Sequence, residues 1–387
     1  MRLGRCFEFS RPLDKSNLLR HTTHLKLGYL KHKAFYEMLG KFIASCPKLI
    51  SFRFALDKRP PSKTPLASQS LQSLQNLKNL QTVNIDCLDN LTLLKEFILP
   101  PTIQNIRLDF RSDKVFNELG DENFFQIFLT FCDKWSHFIM LETLEILFFQ
   151  SACSHHPLNL EFLMYWLKKI QNVKNLSIGL SRDYGNSTGI SMQGNFDFPA
   201  FLESIQYYKN TLRSLKISDH QRIYSLNSPP HQFVSFPCLQ KLFLRGEIPQ
   251  GFEEYKFFHI NLRDLITKQT EKPLEIILEG LKFNSFESLW KFIEIFSQNK
   301  SQKRALKIEL IVYINKKLGR FYYPKDAQIF ELRRGSLSIK ITVSCDDLAF
   351  SPSDFELMLK KVLKLQNWQE IYLRGLTYLI HFVTAYQ

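Results

Sequence analysis

A short apolar pattern recurs along the chain and restricts the folds that the sequence can adopt. In LKNLQTVNID, residues 77–86, the apolar positions follow one another at spacings of three, three and two. A helix would repeat them at three and four residues, and a half-buried strand at two. Related segments lie at 100–110, 141–150, 210–218, 236–246 and 368–376. A motif that recurs in this way predicts a repeat architecture, in which each unit packs on its neighbours.

Each repeat predicts a short strand that follows a turn. The apolar residue that opens the strand is the anchor of its unit, and the residue two positions later faces the same side of the sheet. The period changes because the earlier apolar residues belong to the turn that leaves a helix. The rule predicts twelve anchors, about 31 residues apart on average, at Leu25, Phe52, Val83, Ile106, Leu147, Leu176, Leu215, Leu242, Ile276, Ile308, Ile339 and Ile371.

Amphipathic segments between the strands predict helices. Residues 34–45, 122–138 and 286–296 each place apolar side chains at helical spacing. Ser351 as N-cap and Pro352 in the first turn predict a further helix. Strands joined through helices form a parallel sheet with the helices on its other side. The predicted fold class is therefore α/β, a parallel sheet built from strand–loop–helix units.

With this pattern the chain resembles the leucine-rich repeat family, in its long ribonuclease-inhibitor-like class. The resemblance covers residues 19–387 and implies a solenoid of about twelve units with a curved parallel sheet. The asparagine or cysteine that follows the strand in this family is mostly missing here. We expect residues 1–18 to form an N-terminal cap or tail, residues 19–387 to form the solenoid, and residues 314–328 to be a basic insertion within it.

Composition restricts the class and the compartment. The 387 residues are 44% hydrophobic, which is typical of a globular chain, and contain no apolar run long enough for a transmembrane helix. The seven cysteines include no CxxC pair and read as buried thiols of a reducing compartment. We therefore expect an intracellular protein, cytoplasmic or nuclear. Glu8 and Asp14 argue against a mitochondrial address, because transit peptides are poor in acidic residues.

The motif search predicts no enzyme. The sequence lacks a P-loop, GxGxxG and HExxH. The histidine pairs His21/His24 and His155/His156 have no Cys or carboxylate set at ligand spacing, so we expect no metal and no cofactor. Asp346 and Asp347 are adjacent, so on a strand they would face opposite sides of the sheet.

The side chains between the apolar strand positions form the predicted binding surface. Solenoids use this surface to bind partners, and aromatic residues beside arginine are frequent interface hot spots. Phe243 with Arg245, and Tyr372 with Arg374, make that pairing within one strand. The positions one and three residues after the anchors predict partner-binding residues at Arg53, Arg107, Phe148, Lys216, Phe243, Arg245, Tyr372 and Arg374. The alternative interpretation is that these side chains are covered or belong to the core.

A basic segment with aromatic residues supports a second interpretation. The net charge of +14 permits an acidic partner, which could be a protein, RNA, DNA or an anionic membrane surface. Interleaved basic and aromatic side chains suit phosphate contact and base stacking, and they occur here at Lys316, Lys317, Arg320, Tyr322, Tyr323 and Lys325. The sequence therefore favours a non-catalytic scaffold or recognition subunit that binds a protein within a multi-subunit complex. The alternative is an RNA- or DNA-associated subunit of a ribonucleoprotein that uses this basic C-terminal third.

Overall fold

The computed structural model forms two compact units, Met1–Gly194 and Asn195–Gln387. The expectation of a single solenoid over 19–387 stays a prediction. The structure describes residues 19–30, 33–56, 71–86, 98–110, 133, 140–150, 167–170, 172–182, 201, 204–219, 236–245, 272–283, 288–289, 291–293, 305–314, 328–334, 336–345, 370–374 and 379–383.

The first unit contains strands that pair in chain order, each parallel to the one before. They are β1 (His24–Leu30), β2 (Ser51–Leu56), β3 (Thr82–Asp86), β4 (Asn105–Phe110), β5 (Thr143–Gln150) and β6 (Asn175–Arg182). Helix α1 (Lys33–Ala44) connects β1 to β2, where the sequence predicts a helix over 34–45. It lies against the short 3-10 helix Ser73–Asn76 that precedes β3.

The second unit begins with a parallel series and ends in a mixed arrangement. Its strands are β7 (Ser214–Asp219), β8 (Lys241–Arg245), β9 (Leu274–Phe283), β10 (Leu306–Ile314), β11 (Gln328–Arg334), β12 (Leu337–Cys345), β13 (Glu370–Arg374) and β14 (Leu379–Val383). Their order in the sheet is β7-β8-β9-β10-β12-β11-β13-β14. A 3-10 helix, Gln206–Tyr208, precedes β7. Both units therefore have a mostly parallel sheet, as the sequence predicts, and this arrangement is compatible with a repeat solenoid.

The end of the sheet departs from a purely parallel stack. Strand β11 runs antiparallel between β12 and β13, so the strand that carries Ile371 does not pair with the strand that carries Ile339. The prediction of parallel units is wrong at this end. Strands β11 and β12 are close in sequence, and a short connection favours antiparallel pairing because a parallel pair needs a long crossover. Residues 315–327 of the predicted basic insertion lie outside the described residues.

The mixed period of the repeat has a structural cause. Before β2, the N–H of Cys46 donates to the carbonyl of Ile43 at 2.9 Å, and the N–H of Leu49 donates to the carbonyl of Cys46 at 3.1 Å. The same bonds connect Leu77 to Leu74 and Leu80 to Leu77 before β3. These i→i−3 bonds have the period of a 3-10 helix, three residues per turn. The chain therefore buries every third residue on the way to the strand, and every second residue within it.

The corners before β2, β3, β4, β5, β6 and β8 are each hydrogen-bonded to the corner before the preceding strand. The carbonyl of Ile50 accepts bonds from the N–H groups of Gln81 and Thr82, at 2.9 and 3.0 Å. The carbonyl of Gln81 does the same for Gln104 and Asn105, at 2.8 and 2.9 Å. Four further carbonyls each accept two backbone N–H bonds in the same way, at Thr23, Gln104, Glu142 and Arg213. These bonds keep neighbouring strands in one register.

The predicted register agrees with the structure at ten anchors and is wrong at one. Ten anchors are almost fully buried, at Leu25, Phe52, Val83, Ile106, Leu176, Leu215, Leu242, Ile276, Ile308 and Ile339. On β5, Leu144 pairs with Ile106 and with Leu176, so the anchor is Leu144 rather than Leu147. The error arose because TLEILFF offers apolar residues in both alternate sets, and only pairing with β4 and β6 selects between them. The side chain of Ile371 is not described.

Helical residues pack on the core side of the second unit. Residues 288–289 and 291–293 are helical, within the helix predicted over 286–296, and Leu289 and Ile293 are buried. The ring of Phe292 meets that of Phe283 on β9 edge-on, with centroids 5.5 Å apart. Apart from the helical residue Asp133, the helix predicted over 122–138 lies outside the described residues, as does the one beginning near Ser351.

Candidate partner-binding surface

The face of the second sheet opposite to its core carries a cluster of charged and apolar side chains. Because side chains alternate along a strand, residues one before, one after and three after each anchor point to this face. The register places Lys216 of β7 beside Phe243 of β8, and Phe243 beside Ile277 of β9. We call the cluster the Phe243 surface and define it by Lys216, Lys241, Phe243, Arg245, Ile277 and Lys307.

Phe243 lies between a cation and an aliphatic side chain. The ammonium of Lys216 is 5.3 Å from the centre of the Phe243 ring, within the range of a cation–π interaction. Ile277 occupies the same row on the next strand. Phe243 is half-buried as a result, whereas Lys216 stays exposed. The structure thus brings together two residues that the sequence predicts as partner-binding, 27 positions apart in the chain.

Arg245 forms an ion pair at the carboxyl end of β8. Its Nε lies 3.3 Å from Oε1 of Glu279 on β9. The side chain of Glu279 is only 7% exposed, and that of Arg245 is 32% exposed. A nearly buried carboxylate is stabilised by a cation at this distance. Arg245 therefore neutralises Glu279, while part of the Arg245 side chain remains exposed.

A shared carboxylate connects three strands at the other end of the surface. Glu275 of β9 lies 3.0 Å from the ammonium of Lys241 on β8 and 2.7 Å from that of Lys307 on β10. The hydrogen bond from Lys307, with a second from Lys241, holds the pKa of Glu275 below its ordinary value. The same contact with Glu275 raises the pKa of Lys307. The two lysines and the glutamate together carry one excess positive charge.

The strands beyond β9 continue the pattern of paired charges. Lys340 of β12 donates to Glu309 of β10 at 2.9 Å, and Arg333 of β11 lies 3.5 Å from Glu331 of the same strand. Ile311 of β10 is half-buried beside Glu279. These pairs leave little net charge on that part of the sheet. Among the described side chains of this face, the excess positive charge lies near Phe243.

Two further predicted residues lie on the first unit. Arg53 of β2 is half-buried and pairs in register with Lys26 of β1 and Asn84 of β3. Arg107 of β4 lies 3.5 Å from Glu145 of β5. Both face the side opposite to the core of their own unit, as the sequence predicts. Their role in binding stays a prediction.

The remaining predicted residues are displaced or not described. Phe148 lies on β5, four residues after the corrected anchor Leu144, and its side chain is not described. Its role in binding stays a prediction. Tyr372 and Arg374 occupy β13, where Tyr372 pairs with Glu331 of β11 and His381 of β14. Their side chains are not described. The predicted nucleic-acid residues lie outside the described residues, at Lys316, Lys317, Arg320, Tyr322, Tyr323 and Lys325.

The predicted set omitted several members of the cluster. Lys241, Glu275 and Lys307 each lie one residue before an anchor, a position that the prediction did not consider. Ile277 lies one residue after an anchor, but an aliphatic residue at that position looks like a core residue in the sequence. The alternation of strand residues contained the missing signal, because the residue before an anchor shares the face of the residue after it.

The described residues were also compared with the requirements of a metal site and of a membrane-spanning helix, and the chain with known proteins. Among the residues that the structure describes, no three His, Cys, Asp or Glu side chains are grouped so that they could hold a metal ion. No helix in the described part of the chain is both long and apolar enough to cross a membrane. No protein-family model, curated protein or solved structure matches the chain.

Proposed function

We propose that this protein is a non-catalytic recognition subunit that binds a protein partner through the Phe243 surface. The observation that carries the proposal is the position of Phe243, held between Lys216 and Ile277 on a sheet face that points away from the core. An aromatic residue fixed by its neighbours offers apolar contact area without much loss of conformational freedom on binding. Charged side chains surround it, as a polar rim surrounds the centre of protein interfaces.

We also propose that the chain is a repeat solenoid of the leucine-rich repeat type. Its support is the register shared by successive anchors and the double carbonyl acceptance repeated at successive corners. A solenoid presents one side chain row per strand position, so residues distant in sequence line up as neighbours. The Phe243 surface arises in this way from four separate strands.

A co-purification experiment tests the proposed function. The full chain carries an affinity tag and is purified natively, with and without nuclease treatment, as wild type, Phe243→Ala and Tyr207→Ala. Tyr207 is the matched control, because it is an aromatic residue that is 65% exposed and lies outside the Phe243 surface. We expect a partner protein that co-purifies in stoichiometric amount, stays bound after nuclease treatment, and also co-purifies with the Tyr207→Ala variant. With the purified partner, Phe243→Ala should weaken binding about thirtyfold, the value of a 2 kcal/mol hot spot.

The control for folding is the thermal unfolding of each variant. Phe243 is only half-buried, so Phe243→Ala should keep a cooperative transition. Partners that Phe243→Ala retains at full affinity would contradict the proposal. Partners that disappear with nuclease would point instead to a nucleic-acid-associated protein.

A further inference from the structure

We propose that the partner docks an extended acidic segment on the Phe243 surface, with the pattern acid-x-apolar-x-acid. This inference rests on the proposed function and specifies the chemistry of the partner. The apolar side chain would cover Phe243 and Ile277. One carboxylate would bind Lys216, and the other would bind Lys307.

The charge balance of the surface carries the first step. The cations of the Phe243 surface are Lys216, Lys241, Arg245 and Lys307, and the carboxylates beside them are Glu275, Glu279 and Glu309. Lys340 of β12 neutralises Glu309. Arg245 and Glu279 neutralise each other. Glu275 is shared by two lysines, so their group keeps one excess positive charge. Among the described residues, Lys216 has no carboxylate within ion-pair distance and contacts the Phe243 ring.

The lysines remain accessible to a partner. The side chains of Lys241 and Lys307 are 48% and 58% exposed, although both contact Glu275. An ammonium has three N–H donors, and Glu275 takes one from each lysine. Donors therefore remain for the carboxylates of a bound segment. A contact formed at the edge of an apolar centre is partly shielded from water, which strengthens it.

The spacing of the strands determines the pattern of the segment. Neighbouring strands are about 4.8 Å apart, so the midpoint between Phe243 and Ile277 lies roughly 7 Å from the strand of Lys216 on one side and from that of Lys307 on the other. In an extended segment, residues two apart face the same side and are also roughly 7 Å apart. In the row of Phe243 and Ile277, the residue of β10 is Glu309, which Lys340 of β12 binds. Lys307 lies two residues nearer the start of β10. The segment therefore crosses the strands obliquely toward that end, and the four-carbon stem of Lys307 covers the remaining offset.

The same face is less suited to a nucleic acid. A phosphate backbone carries a negative charge at every nucleotide, so some phosphates would lie beside Glu275, Glu279 and Glu309, whereas the acidic segment carries only the two charges placed at Lys216 and Lys307. The Phe243 ring has Lys216 on one side and Ile277 on the other, so a base cannot stack freely on it. A peptide with two carboxylates about an apolar residue avoids both difficulties.

The test measures peptide binding by fluorescence anisotropy with the full-length chain. The first probe is a fluorescein-labelled nonapeptide with leucine at its centre, glutamate two residues to each side, and serine elsewhere. A second probe has lysine in place of glutamate, a third has serine in place of leucine, and a fourth is a 20-nucleotide single-stranded RNA. We expect saturable binding of the first probe below 1 mM, at least tenfold tighter than that of each of the other three.

Charge variants locate the site. Lys216→Glu and Lys307→Glu should each weaken binding of the acidic peptide about tenfold, whereas Lys209→Glu should not. Lys209 is the matched control, because it is an exposed lysine that lies outside the Phe243 surface. Lys216→Met and Lys307→Met keep the stem, avoid new repulsion, and should weaken binding in the same direction if either reversal variant unfolds.

Several outcomes would overturn the inference. They are the absence of saturable binding up to 1 mM, equal or tighter binding of the basic peptide, and RNA binding that depends on Lys216 and Lys307. The proposed function fails separately, when no captured protein depends on Phe243. If a captured partner depends on Phe243 but binds the Lys216 and Lys307 variants unchanged, the recognition function stands and the acidic segment is wrong.

Discussion

Leu144 and Leu147 lie three residues apart on β5 and therefore face opposite sides of the sheet. Leu144 is fully buried, whereas Leu147 is only half-buried. Leu147 covers Gly179 of the neighbouring strand so closely that a side chain at Gly179 would collide with it. The absence of a side chain at Gly179 thus gives Leu147 its place on the polar face.

The two leucines provide a test of the register at the residue scale. Leu144→Ala should lower the free energy of unfolding by about 2–5 kcal/mol, because it leaves a cavity in the core. Leu147→Ala, the matched control, should cost under about 1.5 kcal/mol, because its site is open to solvent and leaves no enclosed cavity. Urea unfolding of both variants measures the difference. A larger loss for Leu147→Ala would restore Leu147 as the anchor.

At the scale of elements, strands of the second unit are connected on their polar face by charge as well as by backbone bonds. Glu275 joins β8, β9 and β10, and Lys340 joins β12 to Glu309 of β10. Opposite charges on neighbouring strands stabilise a sheet by a few tenths of a kcal/mol each. They also favour one register, since a slip of one residue would move each charge to the core face.

The lowered pKa of Glu275 gives this connection a pH dependence. The folded pKa is below the ordinary 4.5, so the stabilisation is present above pH 4.5 and is lost as the pH falls through the folded value. Glu275→Gln should lower the free energy of unfolding by at most about 1 kcal/mol near pH 7, which is the range of exposed ion pairs. Urea titrations at several pH values should show this difference shrinking below pH 4.5.

Removal of both lysines is the internal control. In a Lys241→Met/Lys307→Met background, Glu275→Gln should no longer change the pH dependence of stability. A difference that stays constant between pH 7 and pH 3 would show that the lysines do not stabilise the Glu275 carboxylate.

At the scale of the whole molecule, strands of the parallel series pair with their neighbours along the chain. In such architectures stability is approximately a sum of unit and nearest-neighbour terms, so a local defect has local consequences. The pairs of hydrogen bonds that one carbonyl accepts at these corners belong to the nearest-neighbour terms.

Hydrogen exchange followed by mass spectrometry tests this locality. Leu144→Ala should raise amide exchange in β4, β5 and β6, because opening of one strand exposes its partners. Strands β9 and β10 should exchange at wild-type rates. Leu242→Ala is the reciprocal control, with the effect expected in β7, β8 and β9. A uniform increase along the whole chain in both variants would mean that the molecule unfolds as one cooperative body.

The positions of the strands could be predicted from sequence because the signal is local. A buried residue at every third position of a 3-10 turn, and at every second position of a strand, is written within about ten residues, as at Leu74, Leu77, Leu80, Val83 and Ile85. The failure at Leu147 has the same origin. Where both alternate sets are apolar, local periodicity has two solutions, and the choice belongs to the neighbouring strands.

The candidate site was predicted in part for a related reason. Phe243 and Arg245 were identified on one strand, and Lys216 on another, from their offset to the anchors. Their contact, the shared carboxylate of Glu275 and the ion pair of Arg245 with Glu279 depend on which strands lie side by side. Local periodicity predicts twelve of the strands and the buried face at ten anchors, because burial of alternate residues is a pattern within a few positions. It does not predict β11, its antiparallel pairing or the neighbours of Phe243, because strand pairing is a long-range choice that local periodicity does not contain.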